Sequence, residues 1–88
     1  MISFDEIWSR IEAHAAEKFD QIRGGEFTYV VSGKHVIPNR TNQQIPKSHF
    51  EKASGLLPLE NTVLVQHLRG PSYLYAILMD ERIRNGDW

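Results

Sequence analysis

Residues 24–53 read Gly24-Gly25-Glu26-Phe27-Thr28-Tyr29-Val30-Val31-Ser32-Gly33-Lys34-His35-Val36-Ile37-Pro38, then Asn39-Arg40-Thr41-Asn42-Gln43-Gln44-Ile45-Pro46-Lys47-Ser48-His49-Phe50-Glu51-Lys52-Ala53. Phe27 to Val31 is rich in aromatic and β-branched residues, the side chains that fit a pleated surface. Ser32-Gly33 is a turn signal, and His35-Val36-Ile37 reads as the return strand. Pro38 removes a ladder donor, so this strand ends there or lies at an edge. Asn39 to Gln44 carries no apolar side chain and reads as a surface loop or a frayed strand end. Ile45-Pro46-Lys47-Ser48-His49-Phe50 begins a helix. With Pro46 as N-cap, Ile45 and Phe50 occupy the two staple positions, and with Pro46 at N1 the geometry is equally favourable. Phe50, Ala53 and Leu57 supply its inner face, and Gly55 and Pro58 limit its length.

The flanks add helices. Ser3 is a candidate N-cap with Glu6 three residues on, as in a capping box. Phe4, Ile7, Trp8, Ile11, Ala15, Phe19 and Ile22 recur at helical spacing and predict one long helix that stops at Gly24-Gly25. Residues 59–68 are ambiguous: Thr62 to Leu68 is β-rich and reads as a third strand or as extended cover over the core. Gly70-Pro71-Ser72 starts a further helix, predicted to run to about Ile83 with Tyr73, Leu74, Ile77 and Leu78 inside. Asn85 to Trp88 is a turn-like tail. The expected architecture is α+β in one compact domain, residues 1–88. It comprises an N-terminal helix, a small antiparallel hairpin or three-stranded sheet, a short basic helix and a C-terminal helix.

Composition narrows the class. The 88 residues include 41% hydrophobic and 24% charged side chains, ordinary globular values. With no cysteine there is neither a disulfide framework nor thiol chemistry, which suits a cytoplasmic protein. No apolar run approaches the roughly 18 residues of a membrane span, and Met1 to Glu6 lacks the layout of a signal peptide. The net charge is -1, but it is unevenly spread. Residues 1–26 are acidic overall. Residues 27–52 set Lys34, Arg40, Lys47 and Lys52 against Glu51 alone, the only third of the chain with a positive balance.

Reactive centres are not legible. His14, His35, His49 and His67 show no metal-ligand spacing and have no cysteine support. Asp5-Glu6 and Asp80-Glu81 are sequence neighbours, which point apart on a helix. No nucleophile elbow, phosphate loop or dinucleotide fingerprint is present. The expectation is a non-enzyme without cofactor or metal.

The basic middle is binding hardware. Arg40 can fork to a phosphate or a guanine edge. Asn42 and Gln43 offer amides, Thr41 and Ser48 small hydroxyls, and Lys34 a further charge. Lys47 and Ser48 lie at a helix start, where free N–H groups favour a phosphate. Arg69, beside the later Gly70-Pro71-Ser72 helix start, forms a second basic point. The candidate nucleic-acid contacts are therefore Lys34, Arg40, Thr41, Asn42, Gln43, Lys47, Ser48 and Arg69, with DNA or RNA as partner. The same amides are also what a solvated loop uses to close on its own backbone. The alternative partner is a protein or a second copy, met through the hairpin edge or an aromatic patch containing Tyr29 or Trp88. Met1-Ile2 with Trp88 is one such patch.

Two stretches carry a resemblance: F-x-Y-x-V-x-G and P-x-R-T-x-x-x-I-x-K-S-x-F-E-x-A within residues 24–53, and R-G-P-S-Y-x-x-A-I-L from Arg69. Together they look like a small uncharacterised bacterial family, over residues 24–83. The hairpin-plus-helix part is also similar to elements of DNA-associated modules, some of them beside restriction-type nucleases. That likeness implies nucleic-acid association and transfers no catalytic residue.

Overall fold

A computed structural model describes residues 2–88, so Met1 of the Met1-Ile2 patch lies outside the described residues. The fold is mixed α+β. Its elements are α1 (Phe4–Ala13), β1 (Phe19–Asp20), β2 (Glu26–Phe27), β3 (Tyr29–Ser32), β4 (His35–Pro38), β5 (Ile45–Pro46), α2 (Lys47–Ser54), α3 (Pro71–Leu78) and α4 (Glu81–Arg84). A single 3-10 turn spans Val63–Val65. Helices therefore open and close the chain, with two small antiparallel sheets between them.

The hairpin forms as its sequence dictates. β3 and β4 pair antiparallel across the turn Gly33-Lys34, with Ser32 opposite His35 and Tyr29 opposite Pro38. The third strand comes from a place the periodicity did not indicate. Ile45–Pro46 pairs with His35 and Val36, giving the order β3-β4-β5. Pro46 ends that strand in extended geometry and is at once the N-cap of α2. Its staple partners Ile45 and Phe50 are both fully buried.

Residues 59–68 are not a strand. Val65 and Leu68 are buried while Val63 and Leu64 face solvent. Inward side chains three apart suit the tight 3-10 turn, whereas a strand needs alternation.

The first helix is half its predicted length. It starts as expected, with Ser3 Oγ accepting the Glu6 N–H over 3.3 Å, but it ends at Ala13. Ala16 then adopts φ +71° and donates its N–H to the Tyr29 carbonyl over 2.8 Å. Phe19 keeps its apolar role by other means. As part of β1 it packs on Phe27 and Tyr29, with ring centres 5.9 and 5.2 Å away. A continued helix would forgo this aromatic cluster. Gly24-Gly25 is accordingly the turn of the β1–β2 ribbon rather than a helix stop, and both residues have positive φ. Ile22, the last residue of the supposed stripe, is exposed.

The C-terminal helix is likewise two helices. Asp80 is extended and its carboxylate accepts the Arg82 N–H over 2.9 Å, so it caps α4 instead of continuing α3. Aspartate bonds nearby backbone readily, which makes it a poor helix interior and a good start.

One apolar core joins these pieces. It includes Ile7, Trp8 and Ile11 of α1, Val36 and Ile45 of the sheet, Phe50 and Ala53 of α2, and Leu74, Ile77 and Leu78 of α3. Gly70 lets α3 approach it closely. At φ +62° a Cβ here would stand 2.7 Å from Ile45 Cδ1, so both the backbone and the space favour glycine.

Candidate nucleic-acid interface

Among the described residues every ion pair lies at the α1–α4 end, although Lys18, Arg23 and Arg84 take part in none. At the α1–α4 end, Arg10, His14 and Arg82 are matched by carboxylates. Arg10 pairs with Glu6 at 3.4 Å and with Asp87 at 2.6 Å, and donates to the carbonyls of Ile83 and Arg84 that end α4. Arg82 binds Asp80 at 2.9 Å and Glu17 at 3.0 Å, donates to the Lys18 carbonyl, and lies 3.9 Å over the Phe19 ring. His14 Nδ1 meets Glu17 at 3.0 Å. The bonds from His14 and Arg82 hold the Glu17 carboxyl below its ordinary value. Burial would raise Asp80, but the Arg82 hydrogen bonds outweigh it and the carboxyl sits below the usual range.

The other region is the α2 side. Among the described residues, Lys34, Arg40, Lys47, Lys52 and Arg69 have no carboxylate within ion-pair distance, since every pair present involves Arg10, His14 or Arg82. Two elements hold three of them. The hairpin turn presents Lys34, the N-terminal turn of α2 presents Lys47 and Ser48, and the last turn of α2 presents Lys52. The Lys47 N–H donates to the Lys34 carbonyl over 2.7 Å, tying the hairpin turn to the helix start. Lys34, Lys47 and Ser48 thus line one open groove of about 420 Å³ with His35, Pro46 and Glu51. Lys47 is partly anchored, its Nζ 5.4 Å from the Trp8 ring centre.

Arg69 joins this face through His49. The Arg69 N–H donates to His49 Nδ1 over 2.9 Å. Burial lowers the His49 pKa, and the charges of Lys52, Arg69 and His67 lower it further. His49, Lys52, His67 and Arg69 therefore form a second basic group, next to the groove along α2.

The hook is more self-contained. Asn39 Oδ1 accepts the Thr28 N–H over 3.0 Å, and Thr41 Oγ1 accepts the Gln43 N–H over 3.2 Å. Arg40 turns toward the β1–β2 ribbon and donates to the Glu26 carbonyl over 3.2 Å. Gly25 makes room for it, because a Cβ there would stand 2.8 Å from the Arg40 guanidinium. The side chains of Asn42 and Gln43 remain exposed. The structure thus gathers Lys34, Lys47 and Ser48 in one groove and Arg69 beside it. It commits part of Arg40 and Thr41 to closing the loop.

Sequence reasoning missed Lys52, His49 and His67 as members of this face. The i, i+3 spacing of His49 and Lys52 on α2 was available as a signal. Nothing local could place His67 and Arg69 against them. Among the described residues no group of three or more His, Cys, Asp or Glu side chains is placed to hold a metal, and no helix is long and apolar enough to cross a membrane.

Two surfaces considered for protein partners are differently disposed. Tyr29 is buried, and its strand edge is covered where Ala16 bonds its carbonyl. Trp88 folds back, its Nε1 donating to the Leu78 carbonyl over 2.8 Å, while Arg84 donates to the Trp88 carbonyl.

No family model matches the chain, and searches of curated proteins and of solved structures return no match.

Proposed function

We propose that this chain is a non-enzymatic nucleic-acid-binding module that holds the phosphate backbone on its α2 side. The observation that carries the reading is the segregation of charge. Arg10 and Arg82 at the α1–α4 end are neutralised by carboxylates within the fold, while Lys34, Lys47, Lys52 and Arg69 have none within ion-pair distance. Unpaired cations on a rigid helix and a tight turn suit phosphates, which position a protein without reading sequence. Ser48 at the start of α2 adds a hydroxyl close to free backbone N–H groups. The resemblance of the hairpin-plus-helix sequence to DNA-associated modules points the same way.

Arg40 and the hook amides take a secondary part in this reading. Arg40 keeps N–H groups beyond the one given to Glu26, and Asn42 and Gln43 supply adaptable hydrogen bonds at the edge of the interface. The test is a mobility-shift titration with duplex and single-stranded oligonucleotides at low salt. Retardation that is lost in a Lys34→Ala/Lys52→Ala/Arg69→Ala variant supports the reading. Absence of any complex with either strand form would remove it.

A further inference from the structure

Lys34 and Lys47 line the same groove but are held differently. Lys34 is exposed on the hairpin turn, at the end of a long flexible stem. Lys47 is half-buried, and its Nζ stands 5.4 Å from the centre of the Trp8 ring. An ammonium within about 6 Å of an indole centroid is attracted by the negative face of the ring, and tryptophan is the best side chain for this contact. Among the described residues, Lys47 is the only cation of the α2 side that makes one.

The indole is itself held on several sides. Trp8 is 6% exposed and belongs to the apolar core. Phe50 meets it edge-on with ring centres 6.0 Å apart, and Phe4, one turn earlier on α1, lies 6.3 Å away. Lys47 and Phe50 stand three residues apart on α2, the spacing that puts two side chains on one face. The first turn of α2 therefore grips Trp8 twice, with Phe50 at the ring edge and Lys47 over the ring. The main chain is fixed at the same point, because the Lys47 N–H donates to the Lys34 carbonyl over 2.7 Å. Both ends of the Lys47 side chain are thus anchored, and neither anchor is a carboxylate. An indole face holds a cation without neutralising it, so the ammonium remains free to meet an anion.

We propose that Trp8 is a positioning residue of the phosphate-binding groove, its ring fixing the Lys47 ammonium before a phosphate arrives. This role rests on the reading of the α2 side as a phosphate-binding face. Its physical basis is entropic. A lysine already held at its working point loses less rotamer freedom on binding than one moving freely in solvent. Lys34, by contrast, is ordered only by the ligand.

Fluorination tests it, because fluorine drains the negative face of the ring and changes its shape little. A chain of 88 residues is within reach of chemical synthesis, which places tetrafluorotryptophan at position 8 alone. In the free, unmodified chain the Lys47 Hε resonances should lie upfield of those of the other lysines, shifted by the ring current. Fluorination should weaken binding of a labelled duplex about two- to fivefold. The salt slope should not change, since no charge is lost, and urea unfolding should confirm that the fold persists. Lys47→Ala should lower the slope by about one and remove the effect of fluorination. Ordinary Lys47 resonances, a fluorinated chain that binds as tightly as the unmodified one, or an effect that survives in Lys47→Ala would each overturn the role while leaving the phosphate reading intact. Absence of any duplex binding would overturn both, and upfield Lys47 resonances would then mark a contact that only stabilises the fold.

Discussion

The Arg69 N–H donates to Nδ1 of His49 over 2.9 Å, which docks the chain just before α3 onto the middle of α2. This one bond brings Arg69 to Lys52 and His67, and it fixes the chemistry of the ring. A nitrogen that accepts a hydrogen bond carries no proton, so His49 is neutral with its proton on Nε2.

Stability should depend on that neutrality. The folded pKa of His49 is lowered by burial and by Lys52, Arg69 and His67, whereas the unfolded chain takes up the proton near pH 6.5. Its contribution is thus complete above about pH 6.5 and is lost as pH falls through the lower folded value. Thermal midpoints of the wild type are expected to drop between about pH 7.5 and 5.5, before the Asp80 and Glu17 carboxylates titrate. His49→Gln should flatten this part of the profile. An unchanged slope in the variant would assign the loss to another group.

Tyr29 ties the hairpin to α1. Its hydroxyl donates to the Ile11 carbonyl over 2.6 Å, satisfying one of the free carbonyls at the end of a helix that stops early. Burial pushes this hydroxyl well above the ordinary tyrosine range, so the side chain remains a donor at any physiological pH. Tyr29→Phe preserves the ring packing and strands the carbonyl. A loss of about 1–3 kcal/mol is expected in urea unfolding, and a loss below experimental error would mean that the carbonyl finds water instead.

Arg82 clamps the loop after α1 to α4 through Asp80, Glu17 and the Lys18 carbonyl, with its guanidinium 3.9 Å over the Phe19 ring. Arg82→Lys keeps the charge and loses the fork and the stacking. It should cost nearly as much as Arg82→Ala, on the order of 1–2 kcal/mol given the partial exposure of the site. Chemical denaturation of the two variants side by side reads this directly. A lysine variant equal to the wild type would show that charge alone suffices.

Arg40 and Lys34 should separate in their effects. Arg40 donates to the Glu26 carbonyl and rests on Gly25, so Arg40→Ala is expected to lower stability by about 0.5–1.5 kcal/mol as well as weaken binding. Lys34 is exposed on the hairpin turn, and Lys34→Ala should change binding within unchanged stability. Paired melts and titrations distinguish the two.

The hairpin, the Pro46 N-cap and the Ile45–Phe50 staple were legible because each depends on short-range chemistry: a glycine turn, a missing donor, an apolar pair flanking a cap. The length of α1 was not. Phe19 fits a helical stripe equally well, and its strand position is decided by Phe27 and Tyr29, which no local window contains. Residues 62–68 stayed ambiguous for the same reason, since which of the three consecutive aliphatics turns inward is set by α3 and the core. In the candidate site, the positive middle was readable from charge alone. The neutralisation of Arg10 and Arg82 by distant carboxylates was not, and it is this pairing that leaves the α2 side distinct.

The central claim is that the unpaired cations of the α2 side bind phosphate. Fluorescence anisotropy of a labelled duplex, titrated at several salt concentrations, addresses it most directly. With Lys34, Lys47, Lys52 and Arg69 engaged, the logarithm of the affinity should fall against the logarithm of salt with a slope near -3 to -4, about -0.9 per phosphate. Lys34→Ala/Lys52→Ala/Arg69→Ala should cut that slope to about -1. A wild-type affinity that does not vary with salt, or a triple variant with the full slope, would contradict the account.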